Sequence, residues 1–484
     1  MIRTDGLDAL KARLADDFAM LELPAKPWVP PCFRDGARVR DVVVIGAGMC
    51  GLAALARLRL SGVDNAIAYD AAPAGREGPW ATFARMKTLR SPKTLTGPSL
   101  GFAALTFRAW YTAQFGRQAW EDLGKIPKDM WMDYLIWYRN VLDLPVANEV
   151  QLTGIADAGD DLIALTLESA EGVRIEHTRH LVLATGRSGL GGGAVPGFIE
   201  KVDQRYWAHS ADDIDFRALA GKRIAVIGAG ASAMDNAATA LEAGAGSVDM
   251  LIRRKEMPRI NKMTGIGSQG VVNGMRYLPD AWKWKFFDYT TSEQTPPPQS
   301  STLRVSRHRN ARFFLDCAVR DVREAKGHIV VETSQGPFAC DFLIAATGFR
   351  NDFIDRDEFT AIAPHIRTWA DGHCSAEESA AKPFLSNSPY LGPDYEFLEK
   401  VPGACPILRH IHCFNDAATL SHGKLSGDIP AVSAGADRLM RGIVAALFVT
   451  DCERHFAALQ AYDTPELQGD EWVDSTPALR KAAV

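Results

Sequence analysis

Three observations predict an α/β chain. A short apolar run, Asp41-Val-Val-Val-Ile45, leads into Gly46-Ala-Gly-Met-Cys-Gly51, a helical stretch to about Ser61, and a second strand at Ala66–Asp70. The same succession recurs at Arg223–Ile227, Gly228-Ala-Gly-Ala-Ser-Ala233, a helix to about Ala243, and a strand over 247–252. Downstream of each unit lies a strand that ends in Ala-Thr-Gly, at 181–186 and again at 342–348. Together these predict two Rossmann-like dinucleotide-binding domains in one chain.

The 484 residues allow two to three domains, and 47% hydrophobic with 23% charged residues is an ordinary globular balance. A net charge of −5, from 54 basic and 59 acidic side chains, argues against nucleic acid or an acidic membrane as partner. The eight cysteines form no CxxC pair and no Cys/His cluster at zinc spacing, which suits reduced thiols in the cytoplasm and predicts no metal site. The first twenty residues are interrupted by charge, and no apolar run approaches the ~20 residues of a membrane span. A cytoplasmic protein acting on a small molecule, with its oligomeric state open, is the expectation.

Residues 1 to about 40 read as an amphipathic helix and a proline-rich extended stretch, an N-terminal extension. In 126–139, Trp131, Tyr134, Leu135 and Tyr138 fall at i, i+3, i+4 and i+7, a helix with an aromatic core face. Alternation over 150–180 and again over 313–340 predicts small antiparallel sheets. The PPPQSST segment at 296–302 reads as a loop, and 430–448 as a helix that returns the chain to the first domain.

In the first unit Gly46 permits the turn out of the strand, Gly48 lets a pyrophosphate approach the backbone, and Gly51 allows close helix–strand packing. The helix start offers free N–H groups to phosphate. Asp70, ending the second strand, is placed to accept hydrogen bonds from an adenosine ribose, so this unit is expected to bind FAD. In the second, Gly228 and Gly230 match, Ser232 follows, and Ala233 stands at the third position. Its strand runs into Arg253, Arg254 and Lys255 instead of an acid. A guanidinium pairs with a 2′-phosphate that a carboxylate would repel, which points to NADPH. Thr347 and Gly348 are expected beside the cofactors.

These motifs, with Gly78-Pro79-Trp80 after the first unit, resemble the class B flavoprotein monooxygenases, over roughly residues 41–450. The group includes N-hydroxylating, flavin-containing and Baeyer–Villiger enzymes. The resemblance implies FAD reduced by NADPH, capture of O2 as a C4a-(hydro)peroxyflavin, and transfer of one oxygen atom to a small soluble substrate. It places Trp80 near the flavin. His209-Ser210 is similar to the end of the FxGxxxHS fingerprint, whose start is absent here. Asn415, Ser421-His-Gly423, Ala431, Ser433 and Arg438 are similar to the C-terminal pattern of N-hydroxylating enzymes, which favours an amine or amino acid over a ketone or thioether.

By the same resemblance Lys87 is the candidate carboxylate anchor, with Arg90 and Lys93 behind it; a solvated loop is the alternative. His209, His422 and Asp428 are candidates near flavin or NADP⁺, each with a structural alternative. For Asp428 these are the flavin N1/O2 edge or capping of the following helix. Arg304, Arg307, His308, Arg309 and Arg312 form a basic cluster for nucleotide, acidic substrate or solvent. A disulfide reductase, or a nucleotide-binding flavoprotein without catalysis, shares the architecture; the lack of a cysteine pair argues against the first. The expected domains are FAD-binding at 41–205 and 350–460 and NADPH-binding at 206–349, with a tail from 461 to 484. Replacing Arg253 and Arg254 by Ala is expected to lower the preference for NADPH over NADH, read from the ratio of kcat/KM values, by roughly tenfold or more.

Overall fold

The computed structural model describes residues 4–478. The last six positions of the expected tail lie outside the described residues.

Strand β1 (Arg40–Ile45) is buried on both faces, and Val42, Val43 and Val44 are fully enclosed, which is why its pattern is a continuous apolar run. It pairs in parallel with β2 (Ala66–Asp70) on one side. Helix α2 (Met49–Leu60) makes the crossover between them. An earlier helix, α1 (Thr4–Met20), packs on α3 (Phe107–Asp122) through Leu10 and Leu14. The contact is so close that a Cβ on Gly6 would sit 1.8 Å from the Ala113 carbonyl oxygen. The segment expected to be an extension is therefore part of the first core.

Helix α4 (Lys128–Val141) buries Trp131, Tyr134, Leu135 and Tyr138, as its spacing predicts. The first sheet runs β3 (Val146–Asn148), β2, β1, then β6 (Gly172–Leu183), β5 (Leu162–Ser169) and β4 (Gln151–Gly159). The β4–β5–β6 portion is antiparallel.

The second sheet is parallel throughout. It consists of β7 (Trp207–His209), β8 (Arg223–Ile227), β9 (Ser247–Leu251), β10 (Ala311–Phe314) and β14 (Phe342–Ala345), in spatial order β10-β9-β8-β14-β7. Helix α5 (Ala231–Glu242) crosses between β8 and β9. A three-stranded antiparallel meander, β11 (Val319–Ala325), β12 (His328–Thr333) and β13 (Gly336–Cys340), precedes β14. Between β9 and β10 the chain forms α6 (Asp280–Glu293) and α7 (Gln299–Ser306). The predicted 296–302 loop is shorter than expected: Pro298 stands at the helix N-cap, and Gln299 onward is helical, because proline tolerates a helix start.

The chain then returns to the first sheet. Strand β15 (Ile411–Cys413) adds to β6 in parallel, and α8 (Val432–Thr450) packs beside α2. Arg57 pairs with Asp437 at 3.5 Å, and the Ser433 hydroxyl donates to the Gly97 carbonyl at 2.7 Å. Helix α9 (Cys452–Ala461) buries none of its residues.

Asp41, at the start of β1, is fully enclosed, and burial pushes its carboxyl up from 3.8 to about 6 despite Arg179 at 3.8 Å. A folded value above the unfolded one means that its contribution is fully present below about pH 4 and is lost as pH rises through about 6. Arg179 keeps a second partner, Asp451, at 2.7 Å. Asp41→Asn is therefore expected to raise the melting temperature at pH 8, by the equivalent of up to about 3 kcal/mol, and to leave it nearly unchanged at pH 4.

Candidate functional site

The first cradle is backbone packed on backbone. Gly46 has φ +96°, and a Cβ there would lie 2.5 Å from the Ala184 carbonyl oxygen; a Cβ on Gly51 would lie 1.8 Å from the Gly46 carbonyl oxygen. Gly48 faces Gly78, with 3.6 Å between its virtual Cβ and the Gly78 Cα. No side chain caps α2, so its first amides are left for a ligand. Asp70 is held at this turn, one oxygen accepting from the Ala47 amide at 2.7 Å and the other from the Ala72 amide at 2.8 Å. Burial raises its pKa, partly countered by these two amides. A recess of about 360 Å³ opens alongside, with Glu77 and Arg139 as its charged lining. A turn where side chains are sterically excluded and helix amides are uncapped fits the pyrophosphate of FAD. Trp80 is half-buried and meets Trp131 edge-on at 6.3 Å.

The second cradle repeats the design with less crowding. Gly228 has φ +131°, and its virtual Cβ lies 2.5 Å from the Ala346 carbonyl oxygen. Nothing lies within 4 Å of a Cβ on Gly230, and Ala233 is fully enclosed where the first unit has glycine. No side chain caps α5, and Ser232 is exposed at its first turn. Past β9 the two arginines differ. Arg254 donates to the Ser292 carbonyl at 2.7 Å, while Arg253 is exposed and makes no hydrogen bond or ion pair among the described residues. Arg253 is thus the one available to a 2′-phosphate. In the basic cluster, Arg304 is tied to Glu242 and Asp235, and Arg312 pairs with Asp249 at 2.6 Å; Arg307 and Arg309 are exposed.

The two halves are joined where Thr347 and Gly348 meet 193–194. The Thr347 hydroxyl donates to the Ala194 carbonyl, and the Gly348 carbonyl accepts from the Ala194 amide and from His209 Nε2, both at 2.8 Å. His209 Nδ1 accepts from the Ala211 amide at 3.2 Å, so its tautomer is set by its neighbours. Burial lowers its pKa, which keeps the ring neutral and structural.

Three expectations are corrected. Lys87 is not a free anchor: its amine donates to Glu242 at 2.9 Å. Lys93 caps the end of α3, donating to the Trp120 and Leu123 carbonyls at 2.6 and 2.5 Å. His422 is enclosed, with Nε2 on the Gly392 carbonyl at 2.9 Å, Nδ1 facing Arg438 at 3.3 Å, and its ring stacked on Tyr395 at 3.9 Å. Burial and Arg438 push its pKa down to about 3, so it is a neutral strut.

Asp428 does not cap α8, whose first turn has no side-chain cap. Its carboxylate lies 3.8 Å from both Arg187 and Lys424. Arg187, also 3.8 Å from Asp416, is not marked by its surroundings in sequence except for the Ala-Thr-Gly that precedes it. Arg90 is exposed in the same field as Arg187 and Asp428. All eight cysteines are free, and Cys50 donates to the Ser426 carbonyl at 3.2 Å, a packing role. No metal-ligating cluster occurs among the described residues, and no described helix is long and apolar enough to cross a membrane. Because Gly228 is sterically confined and Gly230 is not, Gly228→Ala is expected to lower the melting temperature. Gly230→Ala is expected to leave it unchanged while weakening NADPH binding, as followed by fluorescence titration.

Residues 40–265, spanning both cradles, match the family model described as pyridine nucleotide-disulphide oxidoreductase. The FAD-dependent urate hydroxylase of Xanthomonas campestris pv. campestris is 38% identical over 477 residues, 98% of this chain and 100% of that one. Among solved structures, the ornithine hydroxylase from Pseudomonas aeruginosa superposes with TM-score 0.65 at 16% identity, over 85% of this chain and 99% of the other. The L-lysine 6-monooxygenase from Pseudomonas syringae does so with TM-score 0.63 at 16% identity, again over 85% and 99%. These structures share the fold. Identity of 38% with the Xanthomonas protein from end to end, on a frame of two nucleotide cradles, makes this chain a member of the FAD-dependent hydroxylase family.

Proposed function

We propose that the protein is an NADPH- and O2-dependent hydroxylase of urate or of a similarly planar, acidic heterocycle. The observation that carries this reading is the 38% identity to the urate hydroxylase across essentially the whole of both chains. Local charge supports it: Arg187 lies 3.8 Å from Asp416 and Asp428, Lys424 lies 3.8 Å from Asp428, and Arg90 is exposed in the same field beside the first cradle, while urate is an anion at neutral pH. The amine N-hydroxylation expected from the C-terminal pattern takes second place. Its carboxylate anchor, Lys87, is paired with Glu242, and the His of the pattern is enclosed.

Bound FAD supplies the oxygen-activating chemistry, and NADPH the electrons. The chain's own work is to bind, orient and exclude water. Gly46, Gly48, Gly51 and the amides of α2 hold the pyrophosphate, with Asp70 fixed beside them. Gly228, Gly230 and α5 do the same for NADPH, and Arg253 reads its 2′-phosphate. Trp80, backed by Trp131, limits water on one side of the site.

Urate is expected to accelerate NADPH consumption by the FAD-loaded enzyme and to acquire one oxygen atom from isotopically labelled dioxygen, seen by mass spectrometry. Stimulation by ornithine or lysine with none by urate would replace this reading with amine N-hydroxylation.

A further inference from the structure

Arg85 and Lys87, in the segment that follows Trp80, reach across to the second half of the molecule. Arg85 donates to the Ser210 carbonyl at 2.7 Å and the Asp212 carbonyl at 2.6 Å, with its guanidinium 5.0 Å over the Phe216 ring. Lys87 donates to Glu242 at 2.9 Å. From the other side, Arg304 grips Glu242 with two hydrogen bonds at 3.0 and 2.9 Å, reaches Asp235 at 3.2 Å, and donates to the Arg85 carbonyl at 3.1 Å. Three cations and two carboxylates thus interlock around a single seam.

Glu242 is the last residue of α5, where the partial negative charge of the helix end disfavours an acid. Its carboxylate is nonetheless held down to about 2, by Arg304 first and then by Lys87. The helix does not account for an acid at this position; the seam does. The opposite end of the same helix carries the Gly228–Gly230 cradle, about 18 Å away for 12 residues. Fixing Glu242 therefore fixes the direction in which the cradle presents its nucleotide. A separate cluster, Met275, Trp284 and Phe287 on Trp369, Leu385 and Leu420, ties the α6 region to the returning chain, flanked by Lys382 on Asp288 at 3.0 Å and His373 on Asp280 at 2.9 Å, but these contacts hold α6 and not α5.

We propose that Arg85, Lys87, Glu242 and Arg304 form a docking clasp that holds α5, and with it the NADPH cradle, in register with the flavin-binding half. Lys87 and Glu242 are positioning residues for reduction of the flavin by NADPH. The inference rests on the nucleotide-dependent architecture and not on the identity of the substrate.

The test is anaerobic stopped-flow reduction of the FAD-loaded enzyme by NADPH with no substrate present, so a failure of the urate reading leaves it intact. Lys87→Ala removes only the crossing partner, because Arg304 still neutralises Glu242, and the exposed Lys87 side chain is not needed for folding. It is expected to lower the limiting reduction rate constant about threefold at low ionic strength, with FAD content and the Kd for NADPH unchanged. Arg85→Ala is expected to lower it about tenfold. Lys87→Arg should restore the wild-type rate, and added salt should slow the wild type towards Lys87→Ala while leaving that variant unaffected. Equal rate constants for wild type and Lys87→Ala at low and high salt would overturn the proposal. So would a defect confined to the Kd for NADPH, or one that Lys87→Arg does not repair.

Discussion

The rest of the molecule depends on the close approach of backbone to backbone where a buried parallel strand turns into a helix. In both halves the first glycine of the turn lies against the alanine carbonyl of an Ala-Thr-Gly on the neighbouring parallel strand. Gly46 faces Ala184 and Gly228 faces Ala346, each leaving 2.5 Å for a Cβ. The glycine-rich turn and the Ala-Thr-Gly are thus two sides of one contact, which explains why the chain repeats them together. The halves differ at the third position, where Gly51 presses on the Gly46 carbonyl and Ala233 has room for its methyl.

Charge is spent largely on holding this framework. Lys93 ends a helix, Arg254 and Arg304 tie the α6–α7 excursion and α5 in place, and Lys87 crosses the seam. Arg253 beside the second cradle has no side-chain partner among the described residues, and Arg187 beside the first stands 3.8 Å from its two carboxylates, so both keep donors that an anionic ligand could use. The buried histidines follow the same logic. His209 and His422 are kept neutral by burial and serve as two-sided hydrogen-bonding struts, one between the halves and one beneath the C-terminal turn. Proton-transfer side chains are not demanded of a site whose reactive chemistry belongs to its cofactor.

The fold was legible because its signals are local. Val42 to Val44 form a strand buried on both faces, Trp131 to Tyr138 recur at helical spacing, and the glycines stand where only a missing Cβ permits the turn. The corresponding elements match the expected ones to within a residue or two. The substrate-side candidates were less legible. Lys87 is a candidate through the family resemblance and Asp428 through its place ahead of a helix, but a charged side chain takes its meaning from a partner that the sequence does not name.

By itself, the sequence determined two nucleotide cradles, the strands and helices around them, and the contrast between Asp70 and Arg253. All of these are set by steric exclusion and by residues adjacent along the chain. Only the tertiary structure decided that the N-terminal helix belongs to the first core, that His422 is sealed, and that Lys87 meets Glu242 from the far half. Those outcomes depend on contacts between segments distant in sequence, and such contacts exist only once the sheets have formed and the halves have docked.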